Sequence, residues 1–113
     1  MITHITKKEI WEKIKQNEVY EPESLKSDGF IHCSKINQVV KVANYLFSEE
    51  KNLVLLCIDE EKVNSRIVFE DLYQAGEKYP HIYGPMEVEA VTAVYDFNPD
   101  EKGSFTLPEE LSE

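Results

Sequence analysis

The chain has 113 residues, 42% of them hydrophobic and 11% aromatic, enough for one domain with one ordinary core and too few for two. Its 22 acidic residues outnumber 12 basic ones, and the net charge of −10 repels phosphate backbones at long range, which excludes general nucleic-acid binding. No apolar run reaches the ~18 residues of a membrane span and no basic leader precedes an apolar stretch, so a soluble, cytoplasmic chain without membrane partners is expected.

Ile2-Thr3-His4-Ile5 alternates and is rich in strand formers, so a half-buried first strand is predicted. Thr6 followed by Glu9 has the spacing of a capping box, which starts a helix from about Lys7 to Gln16 with Ile10, Trp11 and Ile14 on one face. Residues 17–28 read as connective, with Leu25 as an anchor. Then seven residues hold a turn, a strand and a helix start. Asp28-Gly29 is turn chemistry, Phe30-Ile31 a short buried strand, and Ser34 the N-cap of the next helix. His32 and Cys33 lie at that junction, the kind of place where a scaffold carries a site.

Ile36, Val39, Val40, Ala43, Leu46 and Phe47 keep helical spacing, so an amphipathic helix is predicted to end near Ser48. Leu53–Ile58 is continuously apolar, as a strand buried on both faces requires. Residues 59–64 are charged, with room for one helical turn, and Arg66–Glu70 reads as a strand. Residues 71–78 form a loop, Ile82-Tyr83 a short strand stopped by Gly84-Pro85, and Val88–Phe97 the last long strand. Beyond Asn98 come two prolines, one glycine and five acids against one lysine, and this segment is expected to attach loosely, with Phe105 and Leu107 as possible anchors. Helices come early and strands late, which favours α+β over a doubly wound sheet.

No CxxC, HExxH or acidic calcium loop is present, so no metal site is predicted, and phosphate-binding glycine loops are absent. Cys33 and Cys57 make no disulfide framework, and Cys57 reads as a core thiol. On a strand His32 and Cys33 point to opposite faces, and only a strand ending at Cys33 lets both reach one ligand. An imidazole in a cleft suits proton transfer near neutral pH, while a histidine satisfied by backbone at a helix start is the structural alternative. A helix start lowers a thiol's pKa, which makes Cys33 a candidate nucleophile with His81 as its distant base. Tyr79, His81 and Tyr83 share one face of an extended segment, a surface for stacking on a planar ring or for core packing. Glu70 is either a cleft carboxylate or a solvated strand end, and His4 either a strand-pairing residue or part of the site.

His4, Trp11, Ser24-Leu25, Gly29-Phe30-Ile31-His32-Cys33-Ser34, Gln38, Glu70 and Pro80-His81-Ile82-Tyr83-Gly84-Pro85 together resemble the domain-of-unknown-function 952 family of small bacterial single-domain proteins. The resemblance covers residue 1 to about residue 97. It implies a fold similar to the ADP-ribosyltransferases, which hold NAD in a cleft between two small sheets. In that pattern a first-strand His or Arg grips the adenosine ribose, a place His4 matches. A second strand offers Tyr or Ser, where this chain has His32. A later strand offers a Glu that orients the attacking group, with Glu70, His81 and Glu87 as candidates. The related RNA 2′-phosphotransferases use histidines and basic residues, whereas this chain has one arginine, Arg66.

The expectation is therefore an α+β domain of ADP-ribosyltransferase-like fold over residues 1–97, with two small, mostly antiparallel sheets, two helices near the N-terminus, and an acidic tail over 98–113. His32 and His81 are the candidate catalytic residues. His4, Cys33, Ser34, Glu70, Tyr79 and Tyr83 are the candidate binding residues. The expected ligand is NAD or an ADP-ribose-like nucleotide, bound and, in the enzymatic version of this reading, transformed. The alternatives are a non-enzymatic module for a small ligand or protein on a degenerate scaffold, and a cysteine- or metal-dependent hydrolase.

Overall fold

Every residue of the strand β4 (Leu53–Ile58) is buried, and the molecule is built around it. In this computed structural model, which describes residues 1–112, β4 runs between β1 (Ile2–Lys7) and β8 (Val91–Asp96), antiparallel to both. Strand alternation sends Leu53 and Leu55 to one side, where they meet Val39 and Ala43 of α3 (Ile36–Leu46) together with Phe97 and Phe105. Val54 and Leu56 point the other way, under Trp11 of α1 (Lys8–Ile14). A strand covered on both faces needs an unbroken apolar run, which is what this segment supplies.

A second three-stranded antiparallel sheet has β6 (Tyr79–Tyr83) in the middle, flanked by β3 (Ile31–His32) and β5 (Arg66–Glu70). Its inner face places Ile31 and Ile82 in a core shared with Ile2, Ile58 and Met86. The two sheets are joined where the chain leaves β3. The Ser34 amide donates to the Thr3 carbonyl at 2.9 Å, and the Thr3 amide donates to the Ser34 carbonyl at 2.8 Å. A two-stranded ribbon, β2 (Val19–Tyr20) with β7 (Met86–Glu87), makes a third sheet beyond the two expected, and it buries Tyr20. A four-residue helix, α2 (Ser24–Ser27), brings the α-helices among the described residues to three where two were expected. No helix among those residues is long and apolar enough to cross a membrane.

Several local expectations are corrected. Thr6 does not cap α1, because it is the fifth residue of β1 and lies within 3.4 Å of the Tyr20 hydroxyl, so the helix starts at Lys8. Ile10 is on the solvent side of that helix, while Trp11 carries its packing. Ser34 is not the N-cap of α3. Its backbone is engaged with β1, and the cap position falls to Lys35, whose amide donates to Gln38 Oε1 at 3.0 Å. Val88–Ala90 is a 3-10 turn, so the last strand begins at Val91. β6 begins at Tyr79, three residues before the expected strand.

The C-terminal segment is docked where loose attachment was expected. Phe105 is buried against Phe97, with ring centroids 5.0 Å apart, and Leu107 and Leu111 pack on the same core. Two glycines are required by geometry. Gly29 closes α2 at φ +86° with its amide on the Ser24 carbonyl at 3.0 Å, and a Cβ on Gly84 (φ +147°) would lie 2.5 Å from Ser65 Oγ.

Candidate functional site

Pleating sends alternate residues to opposite sides of the β3–β6–β5 sheet, so its register decides which side chains meet. His32 stands directly opposite His81, and His81 opposite Val68, while Glu70 pairs with Tyr79 and Arg66 with Tyr83. Phe30, two residues before His32, projects to the same face. The outer face thus collects Phe30 and His32, then Tyr79, His81 and Tyr83, then Arg66 and Glu70. The His32 and His81 rings lie 5.8 Å apart, nearly perpendicular at 71°. Phe30 stacks on His81 at 4.1 Å and lies 4.6 Å from the His32 ring and 5.3 Å from the Tyr83 ring.

Each histidine on this face is held by a carboxylate. His81 Nδ1 donates to Glu70 Oε2 at 2.8 Å, and the same oxygen accepts the Tyr83 hydroxyl. The Tyr83 bond, and after it the His81 bond, hold the Glu70 carboxyl below its ordinary range, while accepting from Tyr83 pushes that phenol's own pKa up. With Nδ1 as the donor, Nε2 carries the lone pair of the neutral ring. His81 is buried, yet no fully buried side-chain nitrogen or oxygen among the described residues lacks a partner, so Nε2, which bonds to nothing in the protein, keeps a small contact with solvent. His32 is exposed. Its Nε2 donates to Asp28 Oδ2 at 2.7 Å, and that bond is the main cause of the lowered Asp28 pKa.

Three predicted site residues lie elsewhere. His4 approaches the backbone of β3 from inside the molecule. Its Nδ1 donates to the His32 carbonyl at 2.6 Å, and its Nε2 accepts from the Tyr20 hydroxyl at 2.8 Å, so neither nitrogen is available to a ligand. Desolvation lowers its pKa to about 4 and keeps the ring neutral. The Cys33 side chain packs in the core with Ile2, Ile31 and Met86, and burial pushes its thiol pKa far up. Burial and a raised thiol pKa both oppose the nucleophilic role considered for it from the sequence. Ser34 is buried at the splice between the sheets. Tyr79 shares the face of His81 but is half-buried, with its hydroxyl 3.4 Å from Glu77 Oε2.

Sequence reasoning missed Asp28, Phe30 and Tyr20 as members of these networks. Asp28 was readable in principle, because it precedes His32 by four residues across a glycine turn, and Phe30 has strand spacing to His32. Tyr20 had no local signal. Gln38, noted only within the family motif, is buried and ties α3 to the strand carrying His81, donating from Nε2 to the Lys78 carbonyl at 2.9 Å. Among the described residues, no group of three or more His, Cys, Asp or Glu side chains is arranged to hold a metal ion.

The class of protein is a small α+β domain of three antiparallel sheets, one of which carries two carboxylate-held histidines on its outer face. The chain belongs to the family described as Protein of unknown function (DUF952), whose family model matches residues 5–94. It is similar to the crystal structure of protein CC0527 from Caulobacter crescentus, with a TM-score of 0.84 and 31% identity over 97% of this chain and 96% of that one. A solution NMR structure of the same Caulobacter crescentus protein gives a TM-score of 0.75 and 28% identity over 98% of this chain and 96% of that one. No curated protein matches the chain.

Proposed function

We propose that this domain binds a small nucleotide of the NAD or ADP-ribose class on the outer face of the β3–β6–β5 sheet, on a fold of ADP-ribosyltransferase type, and that His81 handles a proton there. One observation carries the reading. His81 is fixed through Nδ1 by Glu70 and leaves Nε2 unbonded, and the centroid of its ring lies 5.8 Å from that of a second carboxylate-held imidazole. A ring held in one tautomer with its other nitrogen free is the arrangement general acid–base chemistry needs. Tyr83 is 38% exposed and offers a ring face for a base or nicotinamide, and Arg66 across the ladder supplies a positive charge for phosphate. The overall charge of −10 opposes a phosphorylated ligand, so affinity is expected at about 10–1000 μM, or roughly −4 to −7 kcal/mol.

The test is a titration of the full chain with NAD, ADP-ribose and nicotinamide, one at a time, followed by amide NMR shifts. The reading expects perturbations in residues 28–34, 66–70 and 79–83. Silence there at millimolar concentration sinks it. A second reading, a non-enzymatic binding module, is favoured by Phe30, which is buried and stacked over His81 and fills part of the surface a substrate would use. Binding without any turnover of the nucleotide is its signature.

A further inference from the structure

We propose that His32 and His81 form a complementary acid–base pair for hydrolysis of a ribose cyclic phosphodiester, a proposal that rests on the nucleotide reading above and names the bond attacked. Cleaving a glycosidic bond calls for a carboxylate that meets the sugar or the attacking group. The one carboxylate on this face that stands beside His81 is Glu70, and its Oε2 already accepts from both His81 and Tyr83. What the face presents instead is two imidazoles on neighbouring strands, opposite one another in register. Each is turned by its own carboxylate so that the nitrogen away from that carboxylate is unbonded, Nε2 in His81 and Nδ1 in His32. Opening a cyclic phosphodiester needs this combination, a base for the incoming water and an acid for the outgoing ribose oxygen, on opposite sides of phosphorus.

The step balances without a co-reactant other than water. His81 Nε2 takes a proton from water, and the water oxygen forms a new bond to phosphorus. The opposite phosphorus–oxygen bond of the ring breaks, and protonated His32 delivers its Nδ1 proton to the departing ribose oxygen. The product is a nucleoside monophosphate, His81 ends protonated and His32 neutral, and exchange with solvent restores both. Arg66, level with Tyr83 on the adjoining strand, is placed to meet the phosphoryl oxygens, and Asp28 acts as a positioning residue for His32.

The experiment incubates the full chain with 2′,3′-cyclic AMP, reads products by chromatography and 31P NMR, and reads binding by amide shifts. A single monophosphate regioisomer is expected, because a fixed acid protonates one oxygen. His81→Asn and His32→Asn are each expected to lower kcat by about 10²–10⁴-fold with little change in KM. His81 is buried and its replacement can disturb folding, so Asp28→Asn on the exposed side is the control variant: it is expected to lower kcat while leaving the melting curve and KM in place. Cyclic AMP that binds at residues 28–34 and 79–83 but is not hydrolysed overturns this proposal and leaves the nucleotide reading standing. Failure of cyclic AMP, NAD and ADP-ribose all to bind removes both. Full turnover by folded His32→Asn also overturns it, as does an equal mixture of the two regioisomers.

Discussion

Replacing Phe105 by Ala should cost this protein a large share of its stability, although the residue lies in a segment whose composition reads as a solubilising tail. The side chain is 3% exposed, its ring is 5.0 Å from Phe97, and it joins Val39, Ala43, Leu53 and Leu55 in one cluster. Its amide donates to Asn44 Oδ1 at 2.7 Å, which fixes the segment on α3. A buried Phe→Ala change costs about 3–5 kcal/mol, against the ~5–15 kcal/mol that holds a domain of this kind folded. Unfolding entropy of roughly 2.1 cal/mol/K per residue over 113 residues sums to about 240 cal/mol/K, so each kcal/mol moves Tm by about 4 °C. Tm should therefore fall by about 12–20 °C, measured by calorimetry or far-UV circular dichroism and cross-checked by the urea midpoint. A fall of less than ~4 °C, the size of an ordinary surface substitution, would show that the cluster does not depend on the tail and refute the reasoning.

Other outcomes follow from the buried networks. His4 has its pKa lowered to about 4 from an unfolded value of 6.5, so the native state prefers the neutral ring: its contribution is fully present above pH 6.5 and is lost as pH falls toward 4. Between pH 7 and 5 that loss is about 2 kcal/mol, and urea unfolding of His4→Gln should show a correspondingly flatter pH dependence; parallel curves would count against the lowered pKa of His4. Replacing Glu70 by Gln should bring the phenol titration of Tyr83, followed by absorbance, down toward the ordinary tyrosine range, and an unchanged midpoint would mean the Tyr83–Glu70 bond is not formed in solution. Gln38→Leu leaves the Lys78 carbonyl and Lys35 amide without their partner, at a cost of about 1–3 kcal/mol for each group left unpaired. A chemical denaturation midpoint indistinguishable from that of the parent would argue that water replaces the side chain.

The sequence by itself determined the parts whose signal is local. The unbroken apolar run 53–58 announced a strand covered on both faces, the spacing from Ile36 to Phe47 announced the long helix, and Asp28-Gly29 announced the turn before β3. The two-residue spacing of Tyr79, His81 and Tyr83 put them on one face before any partner strand was known. The antiparallel register that sets His32 against His81 was decided only in the tertiary structure, because β3 and β6 lie far apart in the chain. So was the inward turn of His4, which satisfies both its nitrogens on Tyr20 and the β3 backbone, and so was the burial of Cys33. Periodicity tells each side chain which side of its own element it occupies. Which neighbour it meets there is set by how the elements pair and pack, and in this protein the meeting of Phe30 and His32 with His81 joins segments far apart in sequence.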